Sequence, residues 1–244
     1  MEKKPIGCII QAHMRSSRFP KKVMREVYDH KTVLDCVIEQ LSSSKLIDNV
    51  VVATSQDKID DTIERHLQKK GISCFRGNET DVLDRYYQCA KKYNFTTIVR
   101  IPSDKPLIDP EIVDDIVRHY HTYDYITNFL TSSYPSGTEV ELLSFNILKT
   151  VWEKAELPSE LEHVTRYIHT HQNEFNILNI EYPNDLSHLG WAVDRIEDLD
   201  LVRKIVLKIE KRPILLKDIL ELFDKEPHLP EINKNVDRNE GNIK

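Results

Sequence analysis

Glycine is scarce in this chain: six residues in 244, at positions 7, 71, 77, 137, 190 and 241, where an average protein has about 7%. No two stand in the spacing GxGxxG, and none fits GxxxxGK[ST] or GxSxG. A dinucleotide-binding Rossmann fingerprint, a Walker A phosphate loop and the nucleophile elbow of an α/β-hydrolase are thereby excluded. Cysteine is scarce too. The four, Cys8, Cys36, Cys74 and Cys89, form no CxxC pair, so neither a zinc site nor a thioredoxin-type motif fits. They lie in or beside apolar runs and read as buried free thiols of a reducing compartment, which suggests the cytoplasm. No apolar run approaches the ~18 residues of a membrane helix, and the run after Pro5 is too short for a secretory signal. A basic excess is also missing. Lys and Arg number 34 against 40 Asp and Glu, a net charge of −6, which argues against a general nucleic-acid binder.

What is present is the alternation of an α/β protein. Residues 6–11, 49–53, 72–75, 96–101 and 125–128 are short, almost continuously apolar runs, as in strands buried on both faces. Helical patterns over 32–44, 58–70, 82–93 and 111–120 separate them. In the first, Val33, Cys36, Val37, Gln40 and Leu41 fall on one face. Strand–helix alternation predicts a mostly parallel, Rossmann-like sheet flanked by helices. The second half breaks the rhythm, with strands expected over 138–143, 176–181 and 189–193 and helices over 144–155, 159–171, 197–211 and 215–224. One domain is expected over 5–225, carrying a small second-half subdomain at about 130–190. From 226 to 244 apolar residues thin out, which predicts a loosely held polar tail.

Three features carry chemistry. The first is the loop after the opening strand. Arg15, Arg18, Lys21, Lys22 and Arg25 follow Gln11 with no acid among them, in a chain that is net acidic. Ligands of open α/β sheets bind beyond the carboxyl ends of strands, so this loop suits a polyanion such as a nucleoside triphosphate. A solvated charged loop is the plain alternative. Phosphate cradles usually use glycine, and without it side chains must do more of the work. The second feature is Asp104, just past a strand and between Pro102 and Pro106. Mg²⁺ is often held by one or two carboxylates plus substrate phosphates, and Asp104 fits that role or an Asx turn. The third is Asp194, between a strand and a helix, where N-capping is the bland role. Asp198-Leu199-Asp200 spells a glycosyltransferase DxD but falls inside a helix, where residues two apart diverge. His163 and the HxH pairs at 119/121 and 169/171 read as structural.

Together these residues resemble a known family. The run Ile9-Ile10-Gln11-Ala12-His13-Met14-Arg15-Ser16-Ser17-Arg18-Phe19-Pro20-Lys21-Lys22-Val23 is similar to the opening signature of certain cytidylyltransferases. That family includes the spore coat polysaccharide biosynthesis protein F proteins, and acylneuraminate and 3-deoxy-manno-octulosonate cytidylyltransferases are relatives. Further segments match in order: 51–55, 75–87, 99–110, 134–141, 162–165 and 185–194. The resemblance covers about residues 6–206. This chain has His13 where the family has Arg, Arg15 and Lys21 where it has Gly, Lys105 where it has Cys, and Ser136 where it has Asp.

The resemblance implies a nucleotide-diphospho-sugar transferase-like fold. It implies transfer of CMP from CTP to a sugar-type or anionic acceptor with release of pyrophosphate, in surface glycan synthesis. Arg18 and Lys22 match phosphate-binding positions, with Arg15 beside them. Asp104 and Asp194 match the two Mg²⁺-binding acids, so Arg18, Lys22 and Asp104 are the expected catalytic set. Gln11, Ala12, Ser16, Gly77, Asp81 and Arg85 fall where relatives hold the nucleotide, and Glu139 and His163 fall on the acceptor side. A homodimer is implied, through the second-half segment. The extra cations Arg15, Lys21 and Lys105 favour a strongly anionic acceptor. A glycosyltransferase using a nucleotide-sugar donor, and a non-catalytic nucleotide-binding protein, stay as rival classes.

Overall fold

The structure, a computed structural model, describes residues 5–236. Seven strands form one sheet in the order β5-β4-β1-β6-β8-β7-β9. The strands are β1 (Ile6–Gln11), β4 (Asn49–Ser55), β5 (Cys74–Gly77), β6 (Thr97–Pro102), β7 (Tyr125–Thr127), β8 (Glu141–Ser144) and β9 (Ile177–Asn179). All neighbours run parallel except at β8, which is antiparallel to both β6 and β7. A small antiparallel ribbon, β2 (Glu26–Tyr28) with β3 (Lys31–Thr32), lies apart and has no counterpart in the sequence expectations.

Helices cover both faces, as doubly buried strands require. Helices α1 (Val33–Leu41), α2 (Asp61–Lys69) and α4 (Pro110–Val117) pack Leu34, Val37, Ile63, Leu67, Val113 and Ile116 against one face. Helices α3 (Val82–Lys92) and α5 (Phe145–Lys154), with short α6 (Pro158–Glu162) and α7 (Arg166–Thr170), pack on the other. A third cluster joins α8 (Ile196–Lys208), α9 (Leu216–Lys225) and the ribbon around buried Trp191. Local signals start these helices. The Thr32 hydroxyl and the Asp35 carboxylate form a capping box at α1, Asp81 caps α3, Asp109 before Pro110 caps α4, and Ser144 caps α5.

Four second-half expectations change. The helix over 159–171 splits into α6 and α7 because Val164 adopts a positive φ of 53°, which no helix continues through. The strand over 138–143 starts only at Glu141, since 136–140 forms a turn tied to Asn128, whose amide nitrogen donates to Thr138 O and whose carbonyl accepts from Val140 N–H. Residues 189–193 make no strand, only an isolated bridge between Ser136 and Gly190. The start of the polar tail is seated: Leu229 and Asn233 are buried, and the turn Pro230–Asn233 packs on α8. Residues 237–244 of that tail lie outside the described chain.

Candidate active site

Strand β1 leads to β4 on one side, and the chain later returns to β6 on the other. The gap beyond β1 and β6 is therefore a topological switch point, where open α/β sheets bind ligands. Two loops meet there, 12–25 after β1 and 103–109 after β6.

The cationic loop is folded back on itself. Met14 N–H donates to buried Asp60 Oδ1 at 2.7 Å, and Lys21 N–H donates to Met14 O at 3.0 Å. Lys21 takes the left-handed region at φ 61°, a conformation that favours glycine, at the position where the resembled family has glycine. The tight bend turns Lys22 inward, leaving its side chain 7% exposed. Lys22 Nζ donates to Asp104 Oδ2 and to Asp194 Oδ1, both at 2.7 Å. Arg18 Nη2 donates to the same Asp194 oxygen at 2.8 Å. Four of the expected residues thus form one cluster of two cations and two anions.

Asp194 reaches this cluster by a backbone route. Trp191 N–H donates to Ser136 O at 2.7 Å and Val193 N–H to Asp104 O at 2.8 Å, so 190–193 crosses the loop that carries Asp104. Capping of α8, the role expected of Asp194, falls to Asp198. Its carboxylate accepts from Asp194 N–H at 3.0 Å and Arg195 N–H at 2.9 Å, which leaves the Asp194 carboxylate turned to the cations. The same use consumes the first acid of the DxD string.

Electrostatics follow from that packing. Burial opposes charge on both Lys22 and Asp104. The attraction between them, with Asp194 adding to it at Lys22, outweighs burial, so Lys22 is held above its ordinary pKa and Asp104 below. The cluster has no net charge. Among the described residues no three His, Cys, Asp or Glu side chains converge as a ready-made metal cage. Mg²⁺ does not need one. It takes one or two carboxylates and completes its shell with water and substrate phosphates. Two carboxylates converging on one ammonium are a donor set that fits it.

The remaining residues expected on the nucleotide side have mixed placements. Ala12 is buried and its N–H donates to Ala53 O at 3.1 Å. Gln11 is half-buried, its Oε1 3.4 Å from Arg100 Nη2. Ser16 Oγ accepts from Phe19 N–H at 3.3 Å. Arg15 is exposed and pairs with Asp57 at 2.5 Å and Glu79 at 3.4 Å. Asp81 caps α3. Arg85 is buried and its guanidinium donates to Asn78 O and Glu79 O, so it shapes the 78–79 turn. Gly77 belongs to the same arrangement, since a Cβ there would stand 2.7 Å from Arg85 Cγ. This segment borders an open polar hollow of ≈ 520 Å³ that includes Gln56, Asp57, Arg76 and Asn78, and none of the four Lys22-cluster residues lines it.

Of the two residues expected on the acceptor side, Glu139 Oε2 accepts from Gly137 N–H at 2.8 Å and pairs with Lys105 Nζ at 2.9 Å. Lys105 and Arg15 are therefore matched by acids, and the spare positive charge expected for an anionic acceptor is absent at both. His163 ends α6, and burial lowers its pKa. Sequence reading missed a buried network next to it. Arg100 Nη1 donates to Glu141 Oε2, while Glu141 Oε1 accepts from Tyr125 Oη at 2.6 Å and Thr165 Oγ1 at 2.5 Å. His169 Nε2 lies 3.0 Å from Tyr125 Oη. Burial would raise the Glu141 pKa, but Arg100, and after it His169, bring it down to about 2. The available signal was charge on opposed positions of two strands, Arg100 on β6 and Glu141 on β8, which are register partners.

Comparison with known proteins places the chain among relatives of known family and fold. The chain is 33% identical over 232 residues to an uncharacterized protein of Methanocaldococcus jannaschii, covering 93% of this chain and 94% of that one. It is 30% identical over 231 residues to the spore coat polysaccharide biosynthesis protein SpsF of Bacillus subtilis, covering 90% and 94%. The solved structure of a cytidylyltransferase from Leptospira borgpetersenii superposes with a TM-score of 0.89 at 31% identity, covering 93% and 97%. A cytidylyltransferase family model matches residues 7–232. With that match spanning nearly the whole described fold, the chain belongs to the cytidylyltransferase family.

Proposed function

We propose that this protein transfers CMP from CTP to a sugar-type or anionic acceptor, releasing pyrophosphate, in the synthesis of a surface-glycan precursor. The observation that carries the reading is the Lys22–Asp104–Asp194–Arg18 cluster at the switch point. Asp104 and Asp194 would hold Mg²⁺, which when bound supplies charge neutralisation and Lewis acidity toward phosphate oxygens. Lys22 and Arg18, paired with those acids, are the cations this reading assigns to the phosphates. Their task is to hold the triphosphate and offset the charge of the leaving pyrophosphate, while the rigid loops orient the α-phosphorus for in-line attack by an acceptor oxygen. Gln11 ends β1 and Ala12 follows it, and this reading assigns both to the nucleoside side of the site. The Glu139–Lys105 pair and His163 lie on the second-half side, where the acceptor would enter.

CTP is a cytoplasmic nucleotide, and four free thiols accord with a reducing compartment. Pairing of two copies through the second-half segment belongs to the same reading. The testing experiment compares the melting-temperature rise given by CTP, UTP, ATP and GTP, each with and without Mg²⁺. A ligand at about 100 times its Kd stabilises by about 2.7 kcal/mol. A rise selective for CTP and larger with Mg²⁺ is expected. Equal responses to all four, or none, would overturn the reading.

A further inference from the structure

We infer that Asn233 is a positioning residue for Asp194. Its carboxamide comes from the turn after α9, far along the chain from the site. Its Nδ2 donates to Gly190 O at 2.9 Å and to Asp198 Oδ1 at 2.7 Å. Asp198 in turn accepts the N–H groups of Asp194 and Arg195 through Oδ2. One amide group thus ties both ends of the segment that crosses the Asp104 loop: its start at Gly190 and, through Asp198, its end at Asp194.

Asp198 does more than a helix cap requires, since beside two backbone N–H groups it accepts the Asn233 amide. Asp218 opens α9 by accepting Leu215 N–H, and its charge is met by exposed Lys211. Asp198 does the same for α8 while fully buried, and Asn233 is buried with it. Burying a carboxylate is costly unless hydrogen bonds satisfy it. Here they fix the peptide from which the Asp194 side chain leaves toward Lys22 and Arg18. Outer-sphere partners of metal-binding carboxylates typically change affinity by about 10–100-fold when removed.

The consequence for metal binding rests on the proposed transfer reading, while the positioning itself does not, and the test separates the two. Asn233→Ala, Asn233→Ser (which keeps one donor) and Lys234→Ala (an exposed neighbour as control) are compared with wild type in the full chain. Amide hydrogen exchange at Asp194 and Arg195 should quicken about tenfold in Asn233→Ala, the equivalent of one lost hydrogen bond, with β1 and β6 unchanged. It should quicken less in Asn233→Ser and not at all in Lys234→Ala. The Mg²⁺-dependent part of CTP binding should weaken about 10–100-fold in Asn233→Ala, with Mg²⁺-free CTP binding retained. Unchanged exchange at Asp194 and Arg195, or loss of protection spread evenly over the sheet, would overturn the inference. Should Asn233→Ala fail to fold, the Asn233→Ser exchange pattern decides. Local quickening in a protein whose wild type ignores CTP would uphold positioning and refute the transfer reading.

Discussion

Lys22 is where residue chemistry and site architecture meet. A buried ammonium needs a counter-charge, and this one has two, from loops 82 and 172 residues away in sequence. Removing it leaves two carboxylates facing each other. Lys22→Met should therefore weaken CTP binding and, without nucleotide, make the melting temperature respond more strongly to Mg²⁺ than in wild type. Titration calorimetry with CTP and melting curves over Mg²⁺ concentration check both parts. Unchanged CTP affinity would take Lys22 out of the site. The loop's cationic character was legible in sequence because five cations stand together without an acid. Which of them turn inward was not, because that depends on the left-handed bend at Lys21 and on the Asp60 contact to Met14.

At the scale of elements, the turn at Gly137 helps place the second acid. Gly137 has φ +106°, and a Cβ there would stand 2.8 Å from Ala192 N and 2.9 Å from Trp191 Cδ1. Both the dihedral and the close approach of 190–193 demand glycine. Gly137→Ala should cost roughly 1–3 kcal/mol of stability and shift the segment that carries Asp194. Denaturant unfolding gives the first number, and loss of the Mg²⁺-dependent increment in CTP binding reports the second. Wild-type values for both would mean that the turn yields without disturbing the site. In sequence 189–193 reads as a strand because it is a short, mainly apolar run. Its partner is a turn and a loop backbone rather than a strand ladder, a distinction that side-chain pattern does not encode.

The whole molecule balances buried charges across its sheet, and this sets its response to acid. Glu141 is held at about 2, below the ordinary carboxylate value of about 4.3, and Asp104 is also depressed. A depressed carboxylate contributes stability present above its unfolded pKa and lost as pH falls through the folded one. His163 and His169 are lowered chiefly by burial, so their contribution is full above about pH 6.5 and declines as they are forced to charge. The melting temperature should fall in two stages on acidification, first below about pH 6.5 and again below about 4.3. Glu141→Gln strands the Arg100 charge, which should lower stability at neutral pH by about 3–5 kcal/mol and flatten the second stage. Melting curves between pH 3 and 8 test this, and a second stage as steep as in wild type would remove Glu141 from the account. The strand–helix alternation and the parallel core were determined by sequence alone, because hydrophobic period and caps are properties of neighbouring residues, while the four cluster residues were marked out by the resemblance to a family rather than by local pattern. The tertiary structure alone decided that Asp198 caps while Asp194 faces the cations, that Lys105 and Arg15 are matched by acids, and that the chain around Asn233 is seated. Each of these depends on which distant backbone carries the partner, and that is set only when the layers pack.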